Sequence, residues 1–284
     1  MTVTALLCDL DGVVYRGAEP CPGAVEGLTA ARDAGLRVLF MTNNASRPPD
    51  EVARHLSDLG LPTAAEDVLG ASQVAATVLA HQRPDLVVDA GAASPGPVVL
   101  AVGGPGVALA LEAVGLRAVL PAQTRAAAEA EEPLPVQAVV QGYGGEVSAL
   151  DLAEAAYAIA AGATWIATND DATLPTQRGL APGNGALVAA LSHATGAGPQ
   201  VVGKPHEVAY EVALARLGVP AQQCLMIGDR LETDIGGARA AGLRTALVLT
   251  GVASRSDAES APEALRPDHV AETIPQLARL WGSS

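Results

Sequence analysis

Two carboxylates with a spacing that suits metal and phosphate chemistry stand near the start of the chain. Asp9 and Asp11 follow a short apolar run, Thr4–Cys8. Alternate residues at the exit of a strand face the same side, so both side chains can reach one ligand. Asp229 follows a second apolar run, Cys224–Ile227, and anions gathered in this way need a cation. Carboxylate oxygens suit Mg²⁺, and an ionised Asp is also a nucleophile that attacks phosphorus to form an aspartyl phosphate.

Side chains that could bind a phosphate also stand near the ends of predicted strands. Thr42, Asn43 and Asn44 follow another apolar run, Lys204 stands in the string GKP, and Asp234 closes the string GDRLETD. Taken singly, these residues are typical of turns, helix caps and solvated surfaces. Their joint placement near the ends of predicted strands instead favours a shared site, in which a hydroxyl and an ammonium group donate to phosphate oxygens.

The elements that would position these residues alternate along the chain. Apolar runs such as Leu36–Met41 and Arg244–Leu249 predict buried strands, and the spacing of Val52, Leu56 and Leu59 predicts a helix. This alternation indicates an α/β fold with a mostly parallel sheet covered on both faces. Ligands bind at the carboxyl ends of the strands in such a sheet. Further predicted helices are Ile235–Ala241 and a closing helix with Ile274, Leu277 and Leu280, in a tail, 255–284, that is otherwise uninformative.

The middle of the chain predicts a second α/β domain. Residues 85–190 carry many Pro and Gly breaks, which indicate an insert into a core domain made of residues 1–84 and 191–284. Within the insert, Ser148 precedes Asp151 by three residues, which predicts a helix cap. The predicted strands of the insert are Val98–Val102, Val136–Gln141 and Trp165–Thr168, and its predicted helices are Val107–Val114 and Leu150–Ala161.

A glycine-rich turn in this insert resembles half of a dinucleotide-binding fingerprint. Gly104 and Gly106 follow a predicted strand and open a helix, but position 109 is Leu and Pro105 lies inside the turn. The third glycine is therefore missing, and we expect no dinucleotide cofactor.

Composition excludes several classes of partner. The net charge of the 284-residue chain is −14, which makes nucleic acid an unfavourable general partner. No apolar run is long enough for a membrane span, and no basic segment typical of a signal peptide opens the sequence. Three cysteines form no close pair, which predicts free thiols in a reducing, cytoplasmic compartment.

Four strings, in order, resemble the signature motifs of the haloacid dehalogenase superfamily. They are DLDGVVY at 9–15, TNN at 42–44, GKP at 203–205 and GDRLETD at 228–234. The strings ATNDD at 167–171 and PGNG at 182–185 resemble the large α/β cap of the nitrophenylphosphatase-like subfamily IIA. The similarity covers residues 6–252, and it implies a Rossmann-like core with an inserted cap. Relatives include pyridoxal phosphate, phosphoglycolate, glycerol phosphate and nucleotide phosphatases.

The resemblance implies roles for the matching residues. Asp9 resembles the nucleophile and Asp11 the general acid and base. Mg²⁺ would bind Asp9, Asp229 and the backbone carbonyl of Asp11, while Asp234 would orient metal-bound water or Lys204. The implied phosphate-binding residues are Thr42, Asn43, Asn44 and Lys204.

Substrate choice is expected in the cap. The candidate specificity residues are Tyr143, Leu174 and Arg178. The loop 171–182 contains no His or aromatic residue, which favours a small aliphatic phosphomonoester such as a glycerol phosphate over a planar one. The leading hypothesis is therefore a Mg²⁺-dependent phosphatase acting on a small cytosolic metabolite. The alternatives are a phosphotransferase with the same intermediate and a non-catalytic sensor of phosphorylated ligands. A homodimer formed through the cap is a further expectation from the resemblance.

Overall fold

The computed structural model of the protein describes residues 2–88, 96–176 and 178–281. The chain forms two compact units. The first comprises Met1–Thr42, Pro49–Leu69 and Lys204–Ser284, and the second comprises Asn43–Pro48 and Gly70–Gly203. The second unit is wider than the insert of 85–190 that the sequence predicts. Residues 89–95 and 177 of that insert lie outside the described ranges.

The elements of the described residues follow one another in the alternation that the sequence predicts. The strands are β1 (Ala5–Cys8), β2 (Tyr15–Arg16), β3 (Glu19–Pro20), β4 (Arg37–Thr42), β5 (Val68–Gly70), β6 (Val98–Val102), β7 (Ala118–Val119), β8 (Val136–Gln141), β9 (Thr164–Ala167), β10 (Thr173–Thr176), β11 (Gly179–Pro182), β12 (Gln200–Val201), β13 (Cys224–Gly228), β14 (Arg244–Val248) and β15 (His269–Ala271). The helices are α1 (Ala24–Asp33), α2 (Pro49–Asp58), α3 (Ala71–Gln82), α4 (Pro105–Ala113), α5 (Pro121–Glu129), α6 (Ala149–Ala160), α7 (Asn184–Thr195), α8 (Glu207–Leu217), α9 (Gly237–Ala240) and α10 (Arg255–Ser260).

The first unit is built on a six-stranded sheet in the order β15-β14-β13-β1-β4-β5. Strand β1 pairs in parallel with β13 on one side and β4 on the other. All four side chains of β1 are fully buried, which explains why this central strand reads as an unbroken apolar run. The predicted α/β fold with a Rossmann-like core is confirmed.

Helices α1 and α2 of the first unit each bury an apolar face, and that of α2 holds two residues of the pattern that predicts this helix. Leu28 and Ala31 of α1 and Val52 and Leu56 of α2 are buried in one hydrophobic core with Phe40 of β4. Small and aliphatic side chains fill this core because the whole chain holds only 2% aromatic residues.

The second unit has its own parallel sheet, in the order β12-β9-β8-β6-β7, and an antiparallel hairpin formed by β10 and β11. Helix α3 packs on α4, which is why the chain from Gly70 onward belongs to this unit. The predicted cap of α6 is confirmed, since the Ser148 side chain accepts a hydrogen bond from the N–H of Asp151 and the Asp151 carboxylate accepts one from the N–H of Ser148.

Two helices of the first unit differ from prediction. The segment predicted as a helix at Ile235–Ala241 begins earlier, with a π-helix at Leu231–Gly236 that leads into α9. Within this wider turn, the Asp234 side chain folds back onto the preceding backbone. The predicted closing helix is a 3₁₀-helix, Ile274–Leu280, with Pro275 in its first turn. None of the helices in the described parts of the chain is long and apolar enough to cross a lipid bilayer.

Candidate active site

A buried lysine joins two carboxylates at the carboxyl edge of the first sheet. Asp9 directly follows β1, and its N–H donates to the carbonyl of Ile227 on the neighbouring strand. The Nζ of Lys204 lies 2.6 Å from Oδ1 of Asp9 and 2.7 Å from Oδ1 of Asp234. The Lys204 side chain is only 3% exposed, so these two ion pairs are shielded from water.

Asp234 is held by the backbone that precedes it. Its Oδ2 accepts hydrogen bonds from the N–H groups of Asp229 and Arg230, each at 3.1 Å. The hydroxyl of Tyr210 donates to the carbonyl of Thr233, which ties the π-helix to α8. Asp234 therefore uses one oxygen to order the loop after β13 and the other to orient Lys204.

Asp229 has a buried carboxylate oxygen that accepts no hydrogen bond from the described residues. Its Oδ2 accepts from the N–H of Val252 at 2.8 Å, whereas none of the described residues donates to its buried Oδ1. A buried, ionised oxygen without a partner is costly. Carboxylate oxygens of Asp9, Asp229 and Asp234 lie within 4.8 Å of one another. Three carboxylates facing one ammonium group are a hard, oxygen-rich donor set that fits a divalent cation.

Close backbone approach shapes this cluster. A Cβ on Gly251 would lie 1.9 Å from Oδ2 of Asp229, and one on Gly12 would lie 2.4 Å from the same atom. A Cβ on Gly228 would lie 2.2 Å from Cβ of Asp234. No pattern in the sequence predicts this role for the three glycines. The signal available was that Gly12 and Gly228 lie inside two of the quoted strings, while Gly251 shortly follows β14.

Burial and charge set the protonation of the cluster. Burial raises the pKa of Asp9 to about 7, although Lys204 opposes the rise. Burial, followed by the nearby Asp234, raises the pKa of Asp229. Burial lowers the pKa of Lys204, but Asp234 and Asp9 outweigh this effect and leave it above the usual lysine value. Lys204 is therefore an ammonium at neutral pH, and a bound cation would favour the ionised carboxylates.

Asp11 and Thr42 lie at the same edge of the first sheet. Asp11 is exposed and bridges to Tyr15, at the base of the β2–β3 hairpin. Thr42 is the buried last residue of β4, which pairs with β1 so that Phe40 stands opposite Cys8. Both residues thus stand at the carboxyl ends of adjacent strands, as the sequence predicts.

Asn43 and Asn44 belong to the second unit, although they directly follow Thr42 in the chain. The side-chain oxygen of Asn44 accepts from the N–H and hydroxyl of Ser46, at 2.9 and 2.8 Å, and so stabilises a turn. The carbonyl of Asn43 accepts from the side-chain amide of Asn169 at 2.8 Å.

The three candidate specificity residues also lie in the second unit. Tyr143 follows β8 and is partly buried, with its carbonyl bound to the N–H of Gly104. Leu174 is a partly buried residue of β10, and Arg178 is exposed directly before β11. Gln177, which lies between Leu174 and Arg178 in the chain, falls outside the described residues.

Two family models and several known proteins match the chain. A family model described as haloacid dehalogenase-like hydrolase matches residues 6–117, and a second, described as HAD-hydrolase-like, matches residues 201–277. The chain is 47% identical over 272 residues to D-glycerol 3-phosphate phosphatase of Mycobacterium tuberculosis, covering 96% of this chain and 70% of that relative. It is 35% identical over 280 residues to a 5′-nucleotidase of Bacillus subtilis, covering 97% and 99% of the two chains.

Solved structures of phosphatases also resemble the chain. The glycerol phosphate phosphatase from Mycobacterium tuberculosis in complex with magnesium matches with a TM-score of 0.82 at 46% identity, over 97% of this chain and 76% of that chain. The p-nitrophenyl phosphatase from Archaeoglobus fulgidus matches with a TM-score of 0.83 at 28% identity, over 98% and 99%. The resemblance found in the sequence motifs is confirmed, and the chain belongs to the haloacid dehalogenase-like hydrolases, within the nitrophenylphosphatase-like subfamily of phosphatases.

Proposed function

We propose that the protein hydrolyses a small phosphomonoester through a phosphorylated Asp9. The observation that carries this proposal is the buried arrangement of Lys204 between Asp9 and Asp234, beside an Asp229 oxygen that no described residue satisfies. Lys204 orients the carboxylate that would attack phosphorus, and its positive charge offsets the charge of the incoming phosphate. A structural ion pair alone would not need the additional buried carboxylate of Asp229.

The proposed reaction uses two carboxyl groups in turn. An oxygen of the Asp9 carboxylate bonds to phosphorus, and the bond between phosphorus and the ester oxygen breaks. Asp11, protonated at this stage, gives its proton to the departing alkoxide. Asp11 then takes a proton from a water molecule as that water attacks the phosphorus of the aspartyl phosphate. The second step releases inorganic phosphate and restores both carboxyl groups, so atoms and protons balance over one turnover.

The proposed metal is Mg²⁺, in line with the relative whose structure contains magnesium. The carboxylates of Asp9 and Asp229 and the backbone carbonyl of Asp11 would hold it. When bound, the ion supplies positive charge that offsets the negative charge of the phosphoryl group. Asp234 contributes to the donor set, yet its hydrogen bonds to Lys204 and to two N–H groups favour a supporting role.

The proposed substrate class is aliphatic. Two of the relatives are named for D-glycerol 3-phosphate and for 5′-nucleotides. Both compounds are phosphomonoesters of a primary alcohol. Thr42, with the backbone of Asn43 and Asn44 and with Lys204, would bind the phosphoryl group common to both. The β10–β11 hairpin, with Leu174 and Arg178, carries no aromatic residue for stacking on a base, which favours the glycerol phosphate class. A homodimer and a cytoplasmic location remain predictions from the sequence.

The test is a panel of phosphomonoesters assayed with Mg²⁺ for the parent and for Asp9→Asn. We expect glycerol phosphates to give the highest kcat/KM, and we expect Asp9→Asn to lose several orders of magnitude in turnover while keeping its fold. Turnover of Asp9→Asn within tenfold of the parent would refute the assignment of the nucleophile. Products analysed with added alcohols would reveal a phosphotransferase, and a parent that binds but does not turn over any substrate would be a sensor.

A further inference from the structure

The sheet of the second unit has the kind of crevice in which open parallel sheets bind ligands. Strand β6 lies between β7 on one side and β8 on the other, so the chain changes direction at the junction of β6 and β8. The crevice outside the carboxyl ends of such strands is where nucleotide-binding sheets hold their cofactors. The glycine-rich turn Gly103–Gly106 and the following helix α4 stand at this position, as in half of a dinucleotide fingerprint.

In this protein the crevice holds a segment of the chain itself, Asn43–Pro48. The N–H of Gly106 donates to the carbonyl of Ser46 at 3.1 Å. A Cβ on Gly106 would lie 2.7 Å from the carbonyl oxygen of Ala45, and one on Gly104 would lie 2.7 Å from Cβ of Ser46. The glycines of this turn therefore allow close approach of a backbone segment, where a dinucleotide-binding turn would allow approach of a pyrophosphate.

A second group holds the start of the same segment. The Asn169 side-chain amide donates to the carbonyl of Asn43 at 2.8 Å, and Asn169 is only 4% exposed. The backbone carbonyl of Asn169 accepts from the amide of Asn184 at 2.7 Å, and its side-chain oxygen accepts from the N–H of Asp171 at 3.2 Å. Asn169 is thus held by two further hydrogen bonds, so its own hydrogen bond fixes the position of the Asn43 carbonyl.

This contact bears on the phosphate-binding backbone through covalent geometry. The carbonyl of Asn43 and the N–H of Asn44 belong to one planar peptide group, so a hydrogen bond to the first sets the direction of the second. Thr42 is joined to Asn43 by the preceding peptide. We propose that Asn169 and Gly106 are positioning residues, which hold Asn43–Pro48 and so set the orientation of the peptide group between Asn43 and Asn44, a proposed phosphate-binding group, before substrate arrives. This inference rests on the proposed phosphatase function and deepens it.

The variants Asn169→Ala and Asn169→Asp test the amide donor. Both lose the hydrogen bond to Asn43, whereas the Asp variant retains an oxygen for the N–H of Asp171. Loss of one preorganised donor to a transition-state oxyanion lowers kcat by about 10²–10³-fold, and an indirect displacement should cost somewhat less. We expect a fall in kcat of at least about tenfold in both variants, as large in Asn169→Asp as in Asn169→Ala.

The change in kcat/KM across several substrates distinguishes a positioning role from a loss of protein stability. The affected groups bind the phosphoryl portion that all substrates share, so every substrate should lose the same factor in kcat/KM. The inhibition constant of orthovanadate, which mimics the transferred phosphoryl group, should rise by a similar factor. The melting temperature in Mg²⁺ is recorded for each variant, and kcat is measured well below it, so that partial unfolding does not contribute.

Gly106→Ala gives an independent test with a matched control. The added methyl group would collide with the Ala45 carbonyl, whereas a Cβ on Gly145 meets no atom of the described residues within 4 Å. We expect Gly106→Ala to repeat the uniform loss and Gly145→Ala to behave like the parent. If the alanine variants at 106 and 169 do not fold, kcat and orthovanadate inhibition of Asn169→Asp, compared with the parent, test the positioning role.

The outcomes distinguish this inference from the function on which it rests. A parent without Mg²⁺-dependent turnover, or an Asp9→Asn variant as active as the parent, overturns the proposed function itself. If the parent is active and Asn169→Asp keeps the parent's kcat and vanadate inhibition, the positioning role is wrong and the phosphatase function stands. A loss confined to some substrates would equally overturn it, since it would assign Asn169 to leaving-group recognition.

Discussion

Lys204 and Asp9 form a buried ion pair, with Nζ and Oδ1 2.6 Å apart, although they stand 195 residues apart in the chain. Lys204 is also the single lysine of the sequence. The sixteen other basic residues are arginines, whose planar guanidinium group could not replace a compact ammonium between two carboxylates without displacing them. A label on the lysine side chain therefore reports on the candidate site alone.

Protein labelled with ¹⁵N at the lysine side chain should give a single ammonium signal. Because Asp234 and Asp9 raise the pKa of Lys204 despite its burial, this signal should persist above the ordinary lysine pKa of about 10.4. At pH values below the ordinary lysine pKa, the ion pairs of Lys204 contribute fully to the stability of the folded state. This contribution is lost as the pH rises through the raised pKa of Lys204. The measurement is a pH series of nitrogen-detected spectra. Asp234→Asn should lower the apparent pKa, and loss of the parent signal near pH 10 would contradict the ion-pair geometry.

Replacing Asp11 by Asn should affect substrates according to their leaving groups. An alkoxide needs a proton in order to leave, whereas 4-nitrophenolate leaves without one. We expect the phosphorylation step of Asp11→Asn to fall much further for glycerol 3-phosphate than for 4-nitrophenyl phosphate. Single-turnover transfer to the enzyme, measured with both substrates, checks this. Equal losses would remove Asp11 from the role of acid.

Mg²⁺ should bind the folded protein and stabilise it, because it neutralises the carboxylates of Asp9 and Asp229. At a concentration of about 100 times the dissociation constant, the gain in unfolding free energy is about 2.7 kcal/mol, seen as a higher melting temperature. Ca²⁺ should bind but support little turnover, since it accepts looser coordination than Mg²⁺. Full activity in excess chelator would contradict the metal assignment.

Gly251→Ala should abolish this metal response, because its Cβ would stand 1.9 Å from Oδ2 of Asp229 and displace that carboxylate. Gly198→Ala is the matched control, since a Cβ there meets no atom of the described residues within 4 Å. Calorimetric titration of each variant with Mg²⁺ measures the effect. Parent-like Mg²⁺ affinity in Gly251→Ala would show that Asp229 does not hold the ion.

Exchanging Leu174–Arg178 for the corresponding segment of a relative should reorder the substrate panel. Leu174 pairs with Ala181 across the β10–β11 hairpin, so the segment can change its chemistry while Gly179–Pro182 keeps its strand. Contacts to the leaving group are worth about 1–3 kcal/mol each, or roughly ten- to two-hundredfold in kcat/KM. The Mg²⁺ requirement should not change. If all substrates lost activity together and their ranking stayed the same, specificity would lie elsewhere, with the turn around Tyr143 as the next candidate.

The sequence alone was enough to predict an α/β fold with a mostly parallel sheet, and to place Asp9 and Asp229 directly after two of its strands. Buried parallel strands must be apolar along their whole length, so β1 and β13 stand out as runs, and the polar residues after them mark the carboxyl edge. The predicted strand Thr4–Cys8 differs from β1 by one residue, and the predicted strands Val98–Val102 and Val136–Gln141 coincide with β6 and β8. Local chemistry was also sufficient for the cap of α6, because Ser148 and Asp151 satisfy each other's backbone within one turn.

Only the tertiary structure decided how the polar residues share their partners. The sequence could not indicate that Asp234 would bind Lys204 as well as two nearby N–H groups, because Lys204 stands 30 residues before Asp234 and reaches it only in the folded chain. Nor could it indicate that Asp229 keeps a buried oxygen without a described donor. Nor could it explain the turn at Gly104 and Gly106, which by pattern is half of a nucleotide site. The glycines permit close approach of whatever occupies the crevice, and the occupant, Asn43–Pro48, is brought there by folding, because close packing between distant segments leaves no periodic trace in either one.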